Sequence, residues 1–84
     1  MRELSEKLQE EITDALKLKI AESGGNCELN IHFGESSLKI RLDNAGITLG
    51  VEISNECVRE YLNGASQFVL HTVKRYARQH GFKF

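Results

Sequence analysis

The spacing of apolar residues changes twice along this chain of 84 residues, and this change limits the fold more than any other feature. Residues 4–20 follow a helical period, residues 27–53 alternate as strands do, and residues 58–77 return to the helical period. Such an order places two amphipathic helices against one face of a sheet. We therefore predict an α+β fold, α-β-β-β-α, as a single domain over residues 1–84. Whether this domain is the C-terminal part of a longer protein stays open.

The first predicted helix runs from Glu3 to about Ser23 and stops at a Gly-Gly pair. The second starts at Ser54 or Asn55, both good N-cap residues, and continues to Gly81 as its C-cap. Gly64 lies inside it and predicts a kink or a close approach to the sheet. The apolar face of the first helix comprises Leu4, Leu8, Ile12, Ala15, Leu16 and Ile20. That of the second comprises Val58, Leu62, Ala65, Val69, Val73, Tyr76 and Ala77.

Three short segments between the helices alternate apolar and polar residues, which predicts half-buried strands at residues 27–33, 38–42 and 47–53. The two separators, residues 34–37 and 43–46, are short and rich in turn-forming residues. Hairpin connections therefore predict a three-stranded antiparallel meander with two helices packed on one face. The predicted core contains Leu29, Ile31, Leu38, Ile40, Leu42, Leu49, Val51, Leu62, Val69 and Val73.

Composition excludes several other classes of protein. A net charge of only -1 with 40% apolar residues argues against a disordered chain. No apolar run approaches the roughly 18 residues of a membrane span, and the charged start lacks the apolar region of a signal peptide. Only Cys27 and Cys57 are present, which suits a reducing compartment, although a disulfide between them stays open if the first strand lies beside the start of the second helix. We therefore expect a cytoplasmic protein with no membrane insertion.

The small net charge conceals an uneven distribution along the chain. Residues 1–65 carry seven basic and twelve acidic side chains, whereas residues 66–84 carry four basic side chains and no acidic one. Such a division indicates a positively charged surface at the C-terminal end, although cations near a helix C-terminus also stabilise the helix dipole.

Nothing in the sequence predicts catalysis. His32, His71 and His80 have no metal-ligand spacing with the cysteines, and nucleotide-binding and hydrolase motifs are missing. The acidic pairs lie on a predicted helix surface. We therefore expect no enzyme activity, no metal and no cofactor.

Residues 27–32 (CELNIH) and 38–42 (LKIRL), joined by a short turn, form a pair of strands typical of one family. A third strand, residues 58–62 (VREYL) and a long amphipathic helix ending at Gly81-Phe82 follow. This order resembles the C-terminal substrate-specificity-switch domain of flagellar hook-length control proteins and type III secretion needle-length regulators. The likeness covers roughly residues 27–82. The chain departs from the family at its first turn, which lacks the Pro-Glu-Glu-Leu-Gly-like sequence, and at Ser66-Gln67, where the family often has Leu-Pro.

The resemblance implies a function in regulating protein export. In that family an extended N-terminal segment measures the growing hook or needle, and the compact C-terminal domain engages the cytoplasmic part of the export gate's autocleaving switch protein. The protein partner implied for this chain is that cytoplasmic domain. The chain itself would then be cytoplasmic or exported through the type III apparatus.

Two other functions stay open. The outer strands of the meander have unpaired edges, which could pair between chains in an oligomerising or protein-interaction module. The element order is also that of a double-stranded-RNA-binding domain, which needs a lysine-rich start to its second helix. Residues 55–60 carry two acids and one base instead, so no nucleic-acid partner is expected.

The candidate binding residues lie at the end of the second helix. Lys74, Arg75 and Arg78 are close to Tyr76 and to the aromatic tail that begins at Phe82. Arginine and aromatic side chains dominate the energetics of many protein interfaces, and a positive patch accelerates encounter with an acidic partner. We therefore predict partner binding by Lys74, Arg75, Arg78 and Phe82, with the alternative that Phe82 simply covers the core.

Overall fold

A computed structural model of the chain describes residues 3–24, 27–61 and 63–82. The elements follow the order helix, three strands, helices. They are α1 (Glu6–Glu22), β1 (Glu28–Phe33), β2 (Ser37–Asn44), β3 (Ile47–Ser54), α2 (Asn55–Arg59) and α3 (Ala65–Gln79). The predicted α+β class and antiparallel meander are confirmed, with the strands in the order β1-β2-β3. None of the helices in the described ranges is long and apolar enough to cross a bilayer.

The prediction of one continuous second helix is wrong. The helical segment after β3 consists of α2 and α3, separated by residues 60–64. Gly64 is the N-cap of α3, where it adopts a φ of -160° and supplies no side-chain hydrogen bond. Glycine weakens a helix interior through its backbone entropy, so the chain restarts the helix here instead of continuing it. The glycine marks a break, which the sequence had suggested as a kink.

Strand register places every apolar strand residue of the core on one face of the sheet. Leu29 lies opposite Leu42, and Ile31 lies opposite Ile40, which in turn lies opposite Val51. Directly opposed residues share a face, so the period of two along each strand extends across all three strands. The β2–β3 connection is a tight turn in which Ala45 and Gly46 both have positive φ, as a type I′ hairpin requires.

The helices cover this apolar face and form one core with it. Helix α1 packs along α3 and also contacts β1, whereas α2 and α3 contact β3. The nine largest of the fully buried side chains are each less than 2% exposed, and eight of these are apolar. The apolar ones are Ile12, Leu16, Leu38, Ile40, Leu42, Val58, Val69 and Val73. The predicted core is thus confirmed on β2, β3 and α3, whereas Leu29 and Ile31 on β1 are only half-buried. Leu62 lies outside the described residues.

Asn55 is the ninth of these side chains, and it fixes the β1–β2 turn to the start of α2. Its Nδ2 donates hydrogen bonds to the carbonyl oxygens of Gly34 and Glu35, at 2.9 and 3.0 Å, and its backbone N–H donates to the Ser36 oxygen at 3.0 Å. Ser54 provides the N-cap, since its Oγ accepts from the backbone N–H of Glu56. Of the two predicted caps, Ser54 is therefore the cap, and Asn55 is a buried structural residue.

Candidate protein-binding surface

Helix α3 presents the predicted cations on the side that faces away from the core. Its buried strip is Ala65, Val69, Val73 and Ala77, spaced four residues apart. Arg75 and Arg78 are exposed and Lys74 is half-buried at the margin of the strip. Side chains three or four residues apart on a helix are neighbours, so these three cations form one cluster on the outer side of α3.

An open groove of about 730 Å³ follows this cluster. It is lined by Phe68, His71, Thr72, Lys74, Arg75, Arg78 and Gln79. The Thr72 hydroxyl donates to the carbonyl oxygen of Phe68 at 2.9 Å, so it is already engaged within the helix. The polar groups that remain available along this groove are mostly cationic or neutral, because α3 contains no acidic residue.

Lys19 of α1 adds a fourth cation to the cluster. Its charge, followed by that of Arg78, holds the pKa of Lys74 below its ordinary value, with a smaller contribution from desolvation. Lys19 itself has a distant ion pair with Glu22, at 3.9 Å. We call Lys19, Lys74, Arg75 and Arg78 the basic surface. Its defining property is that like charges repel one another with little compensation from nearby carboxylates.

Aromatic side chains lie beside the basic surface. The guanidinium of Arg75 lies 5.7 Å from the centre of the Tyr76 ring, and Tyr76 is 40% exposed. Sequence analysis had placed Tyr76 on the apolar stripe, so its exposure corrects that assignment. Phe68 lines the groove beside the cations, and its ring stacks on Tyr61 with centroids 4.0 Å apart. Aromatic rings beside arginines provide large apolar contact area next to charge, the combination found at many interfaces.

Phe82 lies beneath this surface instead of on it. Its side chain is only 6% exposed and belongs to the core. Gly81 has a φ of +84°, and the backbone N–H of Phe82 donates to the Ala77 oxygen at 2.9 Å, which closes the helix in a Schellman-type cap. The C-cap residue of α3 is His80, and the predicted Gly81 is the positive-φ residue directly after it. Phe82 acts as the apolar residue that anchors the cap, as the alternative prediction stated. Lys83 and Phe84 lie outside the described residues.

The open face of the sheet also carries polar residues, but these pair with one another. The guanidinium of Arg41 lies 3.1 Å from the carboxylate of Asp43, which also accepts a 2.6 Å hydrogen bond from Thr48. The Glu52 carboxylate accepts from the Ser37 hydroxyl at 2.7 Å. A groove of about 620 Å³ crosses this face beside Gly50. Arg41, Asp43 and Glu52 on this face therefore already have partners within the chain.

The remaining candidates from the sequence do not assemble into a site. His32 is exposed on the open sheet face, and His71 and His80 are exposed on and after α3. Among residues 3–24, 27–61 and 63–82, no group of three or more His, Cys, Asp or Glu side chains is arranged to hold a metal ion. Cys27 and Cys57 are both free thiols, and burial is the main cause that raises the pKa of Cys27.

The base that a double-stranded-RNA-binding domain would direct at phosphates is engaged elsewhere. Arg59, at the end of α2, donates from Nη2 to the backbone carbonyl of Glu3 at 3.0 Å. This contact joins α2 to the N-terminal segment, where Leu4 is buried and its carbonyl accepts from Gln9 Nε2 at 2.8 Å. Arg59 is therefore part of the chain's own packing.

Sequence reasoning missed two contributors to the site. Lys19 could be recognised only as a cation near the end of α1, because nothing in one sequence shows that α1 brings it beside Lys74. The stack of Tyr61 on Phe68 depends on the break before Gly64, which turns the chain between the two rings.

Searches for a matching protein family, a matching curated protein and a similar solved structure found none for this chain. The likeness to the specificity-switch domains therefore depends on residue patterns, and the function has to be inferred from the chain's own surface.

Proposed function

We propose that this chain is a non-enzymatic binding domain that docks an acidic protein partner on the basic surface. In line with its resemblance to the specificity-switch domains, the proposed partner is the cytoplasmic part of the export-gate switch protein of a type III system. The domain would act there as a regulator of export, and would meet that partner in the cytoplasm.

The observation that supports this proposal most is the crowding of four cations on the basic surface, where, within the described residues, only Lys19 has an ion pair, a long one with Glu22. Lys19 and Arg78 lower the pKa of Lys74, so the folded chain maintains a repulsion that an acidic partner would relieve. Both arginines outside α3 in the described residues are engaged: Arg41 with Asp43, and Arg59 with the Glu3 carbonyl. A surface that is crowded with one sign of charge attracts the opposite sign and accelerates encounter.

The neighbouring groups favour a protein over a small anion. The groove is long and open, and Phe68 and Tyr76 lie near the cations. A protein segment with carboxylates and apolar side chains would use both kinds of contact, whereas a free anion would use only the charges.

Titration calorimetry against the purified cytoplasmic domain of an export-gate switch protein tests the proposal. Arg75→Glu/Arg78→Glu should weaken binding by about 10- to 100-fold, since each substitution replaces attraction by repulsion at the contact. The matched control, Lys7→Glu/Lys17→Glu, makes the same change in net charge on α1 and should bind nearly as well as the parent. Circular dichroism establishes that both variants are folded.

Three results would reject the proposal. These are no binding by the parent chain, equal loss of affinity in both double variants, and unchanged affinity in the α3 variant. If the chain bound a duplex RNA in a salt-sensitive gel shift and did not bind the protein partner, the basic surface would be a nucleic-acid-binding surface instead.

A further inference from the structure

The free edge of β1 carries a second interaction surface, distinct from the basic surface. Within the described residues β1 has β2 on one side and no strand on the other. An unpaired strand edge exposes backbone N–H and C=O groups that can pair with another strand. We propose that β1 pairs antiparallel with β1 of a second copy of this chain, about a twofold axis at Asn30.

The hairpin geometry identifies which backbone groups point outward. The Gly34 N–H donates to the Ser37 oxygen at 2.9 Å, so this pair is a hydrogen-bonded one. Hydrogen-bonded and non-hydrogen-bonded pairs alternate along an antiparallel ladder. Phe33, Ile31 and Leu29, which lie opposite Leu38, Ile40 and Leu42, therefore direct their N–H and C=O groups away from β2.

A twofold axis at Asn30 aligns these groups correctly. Leu29 of one copy then lies opposite Ile31 of the other, and both direct their backbone groups toward the partner strand. This pairing repeats on the other side of the axis and makes four backbone hydrogen bonds by geometry. Because all of these residues lie on the apolar face, the two sheets would continue as one six-stranded sheet with a common face.

The polar face of β1 carries a charge pattern that a second copy would complement. Glu28 lies opposite Asp43 of its own chain, so two carboxylates face each other, and His32 lies opposite Lys39. In the proposed register, Glu28 of each copy lies opposite His32 of the other. A carboxylate opposite an imidazole, which can donate a hydrogen bond to it, is more favourable than a carboxylate opposite a carboxylate, so the dimer gives Glu28 a better partner at both ends of the paired strands.

The incomplete burial of the apolar side chains of β1 also supports pairing with a second copy. Leu29, Ile31 and Phe33 are half-buried, whereas their partners on β2 are at most 1% exposed. Helix α1 does not close the edge, because a groove of about 490 Å³ separates Phe33 from Glu10 and Asp14 of α1. A second β1 would cover part of this apolar area.

Sedimentation from low micromolar to millimolar concentration tests the pairing through a charge swap. The parent should show a concentration-dependent dimer. Glu28→Lys or His32→Glu should each weaken the dimer by at least about tenfold, since two favourable Glu28–His32 pairs per dimer are lost. The double variant Glu28→Lys/His32→Glu restores an opposite pair in both positions and should recover the dimer. Glu11→Lys, with the same change of charge on exposed α1, is the control and should dimerise like the parent.

A parent that stays monomeric over this range would overturn the proposal. A dimer that ignores both single substitutions, or that the double variant fails to recover, would also overturn it, because another surface or register would then hold the copies together. All three substituted positions are exposed in the monomer, so circular dichroism can verify that each variant is folded before its assembly is judged.

Discussion

Helices α1 and α3 are alike in the apolar strip that each buries, and they differ in the charges that each exposes. Both bury one apolar strip against the other helix and the sheet, with Leu16 of α1 and Val73 of α3 fully buried. On the outside, α1 carries five acidic residues and three lysines, whereas α3 carries three cations and no acidic residue.

The difference separates what the fold requires from what it leaves free. Packing fixes the residues of each strip, because a buried charge is costly and a lost methyl group leaves a cavity. Packing does not fix the sign of the charges on the outer faces. A helix of alternating signs would be the ordinary choice for stability, so the one-sided charge of α3 is the feature that a binding function explains.

The largest expected effect on the free energy of unfolding comes from placing a charge in the buried apolar strip that each helix has. Leu16→Asp and Val73→Asp should each lower the free energy of unfolding by about 3–5 kcal/mol, because each places an unpaired carboxylate in the core. A loss of that size approaches the whole stability of a small domain, about 5–15 kcal/mol. Urea unfolding followed by circular dichroism measures it.

Matched substitutions on the outer faces are the controls. Leu18 is 63% exposed and Arg75 is exposed, so Leu18→Asp and Arg75→Asp should change the free energy of unfolding by no more than about 0.5 kcal/mol. Equal losses for the inner and outer substitutions would show that the strips are assigned incorrectly.

A smaller loss of stability is expected at the N-terminus of α1, which has a side-chain cap, than in its core, and almost none at the N-terminus of α3. Ser5 caps α1, since its Oγ accepts from the Leu8 N–H at 3.3 Å, and Ser5→Ala should cost about 1 kcal/mol of stability. The side chain of Ser66, in the first turn of α3, makes no hydrogen bond within the described residues, so Ser66→Ala should be nearly neutral. Thermal melts of both variants measure the difference. If Ser66→Ala lowers the stability as much as Ser5→Ala does, the claim that only α1 begins with a side-chain cap is refuted.

The smallest expected effect is a gain in stability instead of a loss. Lys74→Gln should raise the stability slightly, because it removes the repulsion by Lys19 and Arg78 that lowers the Lys74 pKa. In contrast, Lys7 precedes Glu10 and Glu11 by one helical turn, and Lys7→Gln should give no gain. Urea unfolding of the parent and the two variants at neutral pH measures both differences.

The gain from Lys74→Gln should depend on pH in a defined direction. Below the lowered pKa of folded Lys74, the lysine is charged and the repulsion is fully present. As the pH rises from there toward the ordinary lysine value of about 10.4, the folded chain releases the proton before the unfolded chain does, and stability recovers. The advantage of the variant should therefore shrink over that interval. An advantage that grows with pH would contradict the assigned cause.

The fold could be predicted because local patterns and tertiary packing agree along most of the chain. The alternation around Ile40 and Leu49 specified both the strands and their inner faces, and Gly81 marked the end of α3. The break between α2 and α3 was harder, since the apolar period continues across it and one glycine does not distinguish a kink from a new N-cap. Asn55 was read as a cap because its type suits that position, whereas its real contacts are about 20 residues away in sequence.

The candidate site could be predicted only in part. A cluster of cations without acids was visible in the sequence, because Lys74, Arg75 and Arg78 are close along one helix. Phe82 illustrates the limit: an aromatic residue after a helix fits a binding anchor and a Schellman cap equally well until its burial is known. Likewise Lys19 joins the cluster only through the packing of α1 on α3.

The most direct test of the basic surface is an NMR titration of the labelled chain with the cytoplasmic domain of an export-gate switch protein. We predict that amide shifts change most along residues 71–79 and at Lys19, and that the changes fade as salt is raised. The acidic first half of α1 and the open sheet face should change little. Shifts concentrated on the sheet face, or in the first half of α1, would contradict the claim that the outer side of α3 is the binding surface.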